Sequence, residues 1–302
     1  LSISAGQNTV SPKTGALQKV AVYLEMIKIE HSVFALPFAY FGAFAAVRGV
    51  PAWQDLLLIT IAMVGARSLA MALNRIIDAG VDALNPRTRE RAIPKGLLSV
   101  PNVVVFALVS LAVFMLAVFN LNPICRLLWP LVVVPFVIYP YTKRVTWTCH
   151  FVLGACLGLA PVGAWTAITG DISGWSFVIG LGVMLWTAGF DVIYACQDVG
   201  FDRDTGLKSI PVRFGVARAL VLTKILHAAS IVIFCIVGLG LGFGAVYYFG
   251  VFLAAALLAY ENSLVKVDDL TKLGTAFFTM NGVISIVLFT TTAADILLRG
   301  RW

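Results

Sequence analysis

Asn74-Arg75-Ile76-Ile77-Asp78-Ala79-Gly80-Val81-Asp82 closes one long apolar segment of this chain. Asp191-Val192-Ile193-Tyr194-Ala195-Cys196-Gln197-Asp198-Val199-Gly200-Phe201-Asp202 closes another. Residues three, four or seven apart share one face of an α-helix. Asn74, Asp78 and Asp82 therefore form one oxygen-bearing stripe, and Asp191, Asp198 and Asp202 form a second with Tyr194 beside it. Like charges stacked this closely repel. Two such helical stripes are tolerable when something cationic lies between them.

The sequence around the two cassettes is apolar. Of 302 residues, 60% are hydrophobic and 12% charged, where a soluble domain carries about 25% charged residues. Mean hydropathy is +0.93. The chain reads as an all-α, polytopic integral membrane protein. Its long apolar runs suit helices, not the alternating ~10-residue segments of an outer-membrane barrel. Nine spans are expected, at 30–48, 56–74, 100–120, 126–141, 148–168, 174–193, 217–240, 244–261 and 274–297. Residues 17–29 have mixed polarity and read as a surface-lying amphipathic lead-in. Residues 1–16 read as a flexible tail with no signal-peptide pattern, and 1–302 as one domain. Pro130, Pro135 and Pro140 predict a kinked fourth span.

Lys and Arg number 22 and Asp and Glu 15, a net charge of +7. In a membrane protein such a surplus orients the chain, so no nucleic-acid partner is expected. Most of the basic residues, Lys28, Arg87, Lys143 and Arg213 among them, fall on the side of the amino terminus. Arg48, Arg126, Arg299 and Arg301 fall on the other. The positive-inside rule then places both cassettes in the cytoplasm, in the plasma membrane of a prokaryote. A faint repeat accompanies them: Asp82 precedes Arg91-Ala92-Ile93-Pro94-Lys95-Gly96, and Asp202 precedes Lys208-Ser209-Ile210-Pro211-Val212-Arg213. Two four-helix-like halves with related Asp-rich cassettes would face each other across one cavity, as in other repeat-built membrane proteins.

Oxygen stripes of this kind suit Mg²⁺, which takes one or two protein carboxylates and completes its shell with water and substrate phosphate. Two opposed stripes would serve two ions gripping one diphosphate. Arg67 lies seven residues before Asn74, at membrane depth, where a charge is costly and functional by default. Lys143 and Arg144 follow Tyr139-Pro140-Tyr141. Arg89, Arg91, Lys208 and Arg213 are candidates to clamp phosphate oxygens.

The patterns NRxxDxxxD (Asn74 to Asp82), YPxxKR (Tyr139 to Arg144) and DxxYAxxDxxxDxxxGxKS (Asp191 to Ser209) resemble the UbiA superfamily of intramembrane aromatic prenyltransferases. Ile29-Glu30-His31-Ser32-Val33-Phe34-Ala35-Leu36-Pro37 is most similar to members acting on 4-hydroxybenzoate and related quinone precursors. The resemblance implies nine helices around a central cavity, a lateral opening to lipid, and Mg²⁺-dependent transfer of a polyprenyl group from its diphosphate to a small aromatic acid. By position it makes Asn74, Asp78, Asp198 and Asp202 metal–diphosphate residues supported by Asp82. Arg67, Lys143 and Lys208 would bind diphosphate, with Arg144, Arg89 and Arg91 beside them. Asp191 and Tyr194 would sit near the acceptor or help organise the site, and with Arg67, Tyr139 and Lys143 they are the candidate catalytic residues. The first cassette departs from the family in reading Asn-Arg where many members have Asn-Asp, and Lys28 stands where Arg is frequent.

Blander readings stand beside these. The Asp residues also suit helix caps, Arg67 a helix contact, Lys143 and Arg144 topology anchors, and Tyr139 and Tyr194 an interface belt. His31, His150 and His227 show no metal spacing and read as structural. Asp171 and Asp295 fall on the far side. The five cysteines form no CxxC pair and read as small packing residues. Inward carboxylates also line transporters, although these lie at span ends. A prenyltransferase with another acceptor (haem, a chlorophyllide or a glycerol phosphate lipid) is the remaining alternative.

Overall fold

Within a bilayer no water pairs with the backbone, so each apolar run has to satisfy its own N–H and C=O groups, which a helix does within one segment. The computed structural model of the protein describes residues 16–28, 32–267, 269–270, 273–275 and 280–300, and every regular element among them is helical. In chain order these are α1 (Ala16–Met26), α2 (Ser32–Val47), α3 (Trp53–Ile77), α4 (Ala79–Leu84), α5 (Val100–Asn120), α6 (Cys125–Val145), α7 (Cys149–Thr169), α8 (Gly174–Ala195), α9 (Val199–Asp204), α10 (Ile210–Phe214), α11 (Val216–Leu241), α12 (Ala245–Leu264), α13 (Leu273–Thr275) and α14 (Asn281–Leu298). A 3-10 turn, Cys196–Asp198, joins α8 to α9.

Helices α3, α5, α6, α7, α8 with its extension to Asp204, α11, α12 and α14 are long and apolar enough to cross a membrane. The ninth, α2, is apolar over the shorter stretch Ala35–Val47. The order of spans is the one hydropathy predicts. The last span is described as α14 from Asn281, and residues 276–279 between it and α13 lie outside the described residues. The N-terminal tail up to residue 15, Ile29, Glu30 and His31 of the Ile29–Pro37 motif, Asp268, Lys272 and Arg301 lie outside the described residues. The amphipathic lead-in forms α1, with Lys19 and Val20 exposed, Met26 and Ile27 buried, and Tyr23 stacked on Phe106 at 5.1 Å.

Local chemistry sets the ends. Ser99 Oγ accepts the Asn102 N–H at the start of α5, and Gly170 and Gly242 end α7 and α11 at φ of +70° and +68°, a region a Cβ disfavours. Pro130, Pro135 and Pro140 all sit inside α6, which remains one helix from Cys125 to Val145.

The repeat is visible in the packing. In each half the cassette-bearing helix lies along the next span, α3 on α5 and α8 on α11. Helix α2 packs on α7, and α14 closes the bundle against α12 and α2. Small residues permit the closest approach: a Cβ on Gly158 would meet the Gly180 carbonyl oxygen at 2.5 Å, across the α7–α8 contact. Aromatic rings fill the packing between α2, α8, α11 and α12, among them Phe38, Phe41, Trp186, Phe234 and Tyr247. A cavity of about 940 Å³ runs between α3, α6 and α7, lined by residues such as Ile59, Met63, Trp129, Phe136 and Leu157. Leu108, Leu127, Leu239 and Phe252 are exposed, as lipid-facing side chains would be.

Candidate active site

Helix α3 stops at Ile77, and Asp78, at φ −93° and ψ 3°, turns the chain into α4. The stripe survives this break because the Asp78 N–H donates to the Asn74 carbonyl and the Asp82 N–H to the Asp78 carbonyl, at 2.9 and 2.8 Å. Asn74 Nδ2 donates to Asp78 Oδ2 at 3.0 Å. Asp78 and Asp82 are both buried, and buried carboxylates need partners. Lys143 Nζ donates to Asp78 Oδ2 at 2.8 Å and Arg144 Nη2 to Oδ1 at 3.1 Å. Arg91 Nη1 meets both oxygens of Asp82, at 2.7 and 2.8 Å.

Arg75, the departure in the first cassette, turns away from the carboxylates. Its Nε donates to the Met26 carbonyl at 3.3 Å and its Nη1 to Asn74 Oδ1 at 3.3 Å. It therefore ties the end of α1 to α3.

The second cassette is also broken, by the 3-10 turn before α9. Arg87, in the loop after α4, grips Asp198 with two nitrogens, Nε to Oδ1 at 2.8 Å and Nη2 to Oδ2 at 2.5 Å. Its Nη1 donates to the Tyr194 hydroxyl at 2.8 Å. Such bidentate pairs are strong and directional. Burial pulls the Arg87 guanidinium down while its bonds to Asp198 and the nearby Tyr194 raise it, and the balance lies above an ordinary arginine. Asn85 Nδ2 adds a bond to Asp198 Oδ1 at 3.1 Å. Asp202 is half-buried and forms no ion pair among the described residues. Asp191 Oδ2 lies 2.7 Å from His150 Nδ1.

Both cassettes line one polar pocket of about 160 Å³, together with Lys143, His150 and Lys208. Asn74, Arg87, Arg91, Tyr139, Asp191 and Tyr194 line this pocket and the apolar cavity alike. The two chambers meet at those six residues.

Several residues are placed differently from the sequence reading. Arg89 is exposed, faces Glu90 at 4.0 Å and lines neither chamber. Loop residues lack periodicity, so the pattern could not tell Arg89 from Arg87. Arg67 lines the apolar cavity, not the polar pocket. Seven residues of helix set it about 10 Å along α3 from Asn74. Lys208 lines the pocket with its Nζ on the Val145 carbonyl at 2.9 Å. Arg213 lies over the Trp147 and Phe214 rings. His150, read as structural, faces Asp191. Arg87, Asn85 and His150 are the site residues the sequence reading missed. Asn85 and Arg87 lie within five residues of Asp82, the one proximity signal available.

Among the described residues no group of three or more His, Cys, Asp or Glu side chains is gathered closely enough to hold a metal. The oxygen donors instead face one another from two walls. Carboxylate and carboxamide oxygens suit a hard cation, and a divided set suits one that completes its shell with phosphate and water. The donor set therefore fits Mg²⁺ carried in with a diphosphate.

A family model for the UbiA prenyltransferase family matches residues 35–283. A 4-hydroxybenzoate octaprenyltransferase of Aliivibrio fischeri (strain MJ11) is 28% identical over 251 residues, covering 83% of this chain and 87% of that protein. The apo structure of a UbiA homolog from Aeropyrum pernix K1 superposes with a TM-score of 0.77 at 30% identity, over 90% of this chain and 98% of that one. A UbiA homolog from Archaeoglobus fulgidus, bound to GPP and Mg²⁺, shares the fold with a TM-score of 0.69 at 20% identity, over 91% and 99%.

Proposed function

This chain belongs to the UbiA prenyltransferase family, and from that premise we propose that it transfers a polyprenyl group from an allylic diphosphate to an aromatic acid such as 4-hydroxybenzoate. The observation that carries this reading is the junction of the two chambers. A polar pocket walled by carboxylates and cations opens directly onto an apolar cavity of about 940 Å³. A prenyl diphosphate has that same division into charged head and hydrocarbon tail. The Aliivibrio relative's name supports 4-hydroxybenzoate as acceptor. The GPP and Mg²⁺ of the Archaeoglobus homolog support the donor and metal.

Asn74, Asp78, Asp82, Asp198 and Asp202 would hold Mg²⁺, which we take to be two ions. When bound, it neutralises charge on the departing diphosphate. Lys143, Arg144, Arg87 and Arg91 already lie on those carboxylates and supply fixed positive charge to the same pocket. The allylic C–O bond breaks and the electron pair leaves with the diphosphate. The apolar cavity keeps water from the allylic cation. A ring carbon ortho to the phenol oxygen then forms the new C–C bond, and its proton passes to Asp191 or to the released diphosphate. Tyr139 and Tyr194 line the junction where the ring would lie. The excess of basic residues on the cassette side supports a cytoplasmic face for this chemistry.

The test is release of diphosphate and prenylated product from purified protein given geranyl diphosphate and 4-hydroxybenzoate. Turnover that stops on chelation of Mg²⁺ is expected. Absence of release with every member of a panel of aromatic acids would overturn the reading in favour of transport.

A further inference from the structure

Asp78, Asp82 and Asp198 are each met by Arg or Lys, whereas Asp191 is met by an imidazole. His150 is the second residue of α7 and is buried. Its Nδ1 lies 2.7 Å from Asp191 Oδ2, and the backbone N–H of Ile210, the first residue of α10, donates to its Nε2 at 3.3 Å. A ring nitrogen that accepts a hydrogen bond carries no proton. The proton therefore sits on Nδ1, and the ring is a neutral donor to the carboxylate. Held between α8 and α10, the imidazole has little freedom to turn.

The consequence falls on Asp191. One oxygen is committed to His150, while Oδ1 carries no hydrogen bond among the described residues, and Asp191 lies at the junction of the two chambers. A cationic partner would pin the carboxylate and weaken it as a base, as favourable charge lowers a carboxyl pKa. A neutral donor orients the carboxylate without setting a positive charge beside it. Arg87 on Asp198 exemplifies the first arrangement, His150 on Asp191 the second.

We propose that His150 is a positioning residue for the acceptor: a neutral, Nδ1-protonated splint that fixes Asp191 so that its second oxygen meets the phenol and ring of the aromatic acid. This rests on the acceptor role given to Asp191 above. Glutamine offers an N–H and a C=O that can replace both bonds of the ring, while it cannot act as a proton shuttle at neutral pH. Alanine offers neither bond.

Kinetics of the full-length protein, with donor and acceptor varied separately, test this. His150→Ala is expected to lower kcat/KM for the acceptor by about 10–100-fold, the loss typical of a partner one step removed from a reacting group, with the KM for geranyl diphosphate little changed. His150→Gln should restore most of that loss. Equal damage to donor and acceptor parameters, or a Gln variant as poor as Ala, overturns the proposal. Should His150→Ala not fold, ¹⁵N NMR of the histidine side chains in the wild-type protein decides. A proton on Nδ1 with a bare Nε2 is expected; an imidazolium, or a proton on Nε2 instead, overturns it. The spectrum needs no substrate. A wild-type protein without turnover would therefore count against the prenyl-transfer reading alone.

Discussion

The two acidic cassettes are made of the same parts, yet they are neutralised in different ways. The first is served from its own half of the chain: Lys143 and Arg144 from the end of α6 hold Asp78, and Arg91 from the following loop holds Asp82. The second borrows. Asp198 takes its cation from Arg87, 111 residues earlier in the other half, and Asp202 meets no Lys or Arg among the described residues. One cassette is complete within its half, and the other is completed only when the halves close. The active site is therefore an interface property, and its weakest electrostatic compensation lies at Asp202.

The largest test removes the carboxylates themselves. Asp78→Ala and Asp198→Ala should each lower turnover more than about a thousandfold, beyond the 10–100-fold loss typical of outer-shell partners. Both proteins should still fold and extract from membranes as a single species. Near-wild-type rates in either would break the equivalence of the cassettes.

Next comes the contrast in neutralisation. Arg91→Ala leaves the buried Asp82 without its cation. A loss of about 2–3 kcal/mol is expected in thermal unfolding, below the range for a fully buried pair because Arg91 retains some solvent contact. Arg87→Ala should cost less stability, since Asn85 still bonds Asp198, but should raise the KM for the prenyl diphosphate. A stability loss larger than that of Arg91→Ala would reverse the comparison.

A double-mutant cycle on Arg87 and Asp198 sharpens it further. A coupling of about 1 kcal/mol is expected, within the range for contacting charged residues. Additive effects would mean that the bridge between halves carries no energy. The smallest effect should be at Arg67. Its place in the apolar cavity predicts that Arg67→Leu changes the donor KM less than Lys143→Ala does, measured side by side.

Much of this site was legible in sequence because helical periodicity converts spacing into geometry. Asn74, Asp78 and Asp82 had to share a face, and so did Asp198 and Asp202. The cations were harder. Arg87, Arg89 and Arg91 sit within five residues of one loop, and only the folded path separates the two that reach carboxylates from the one that faces solvent. His150 gave no signal, because its partner Asp191 is 41 residues away on another helix.

Composition and period by themselves determined the helical membrane bundle, the order of its spans and the two oxygen stripes, since the cost of unpaired backbone in lipid leaves a 20-residue apolar run little choice of structure. Tertiary structure alone decided that the stripes share a pocket, that Arg87 crosses between halves, and that a cavity is left between α3, α6 and α7 while rings fill the packing between α2, α8, α11 and α12. Those outcomes depend on which faces of distant helices meet, and no local pattern encodes that.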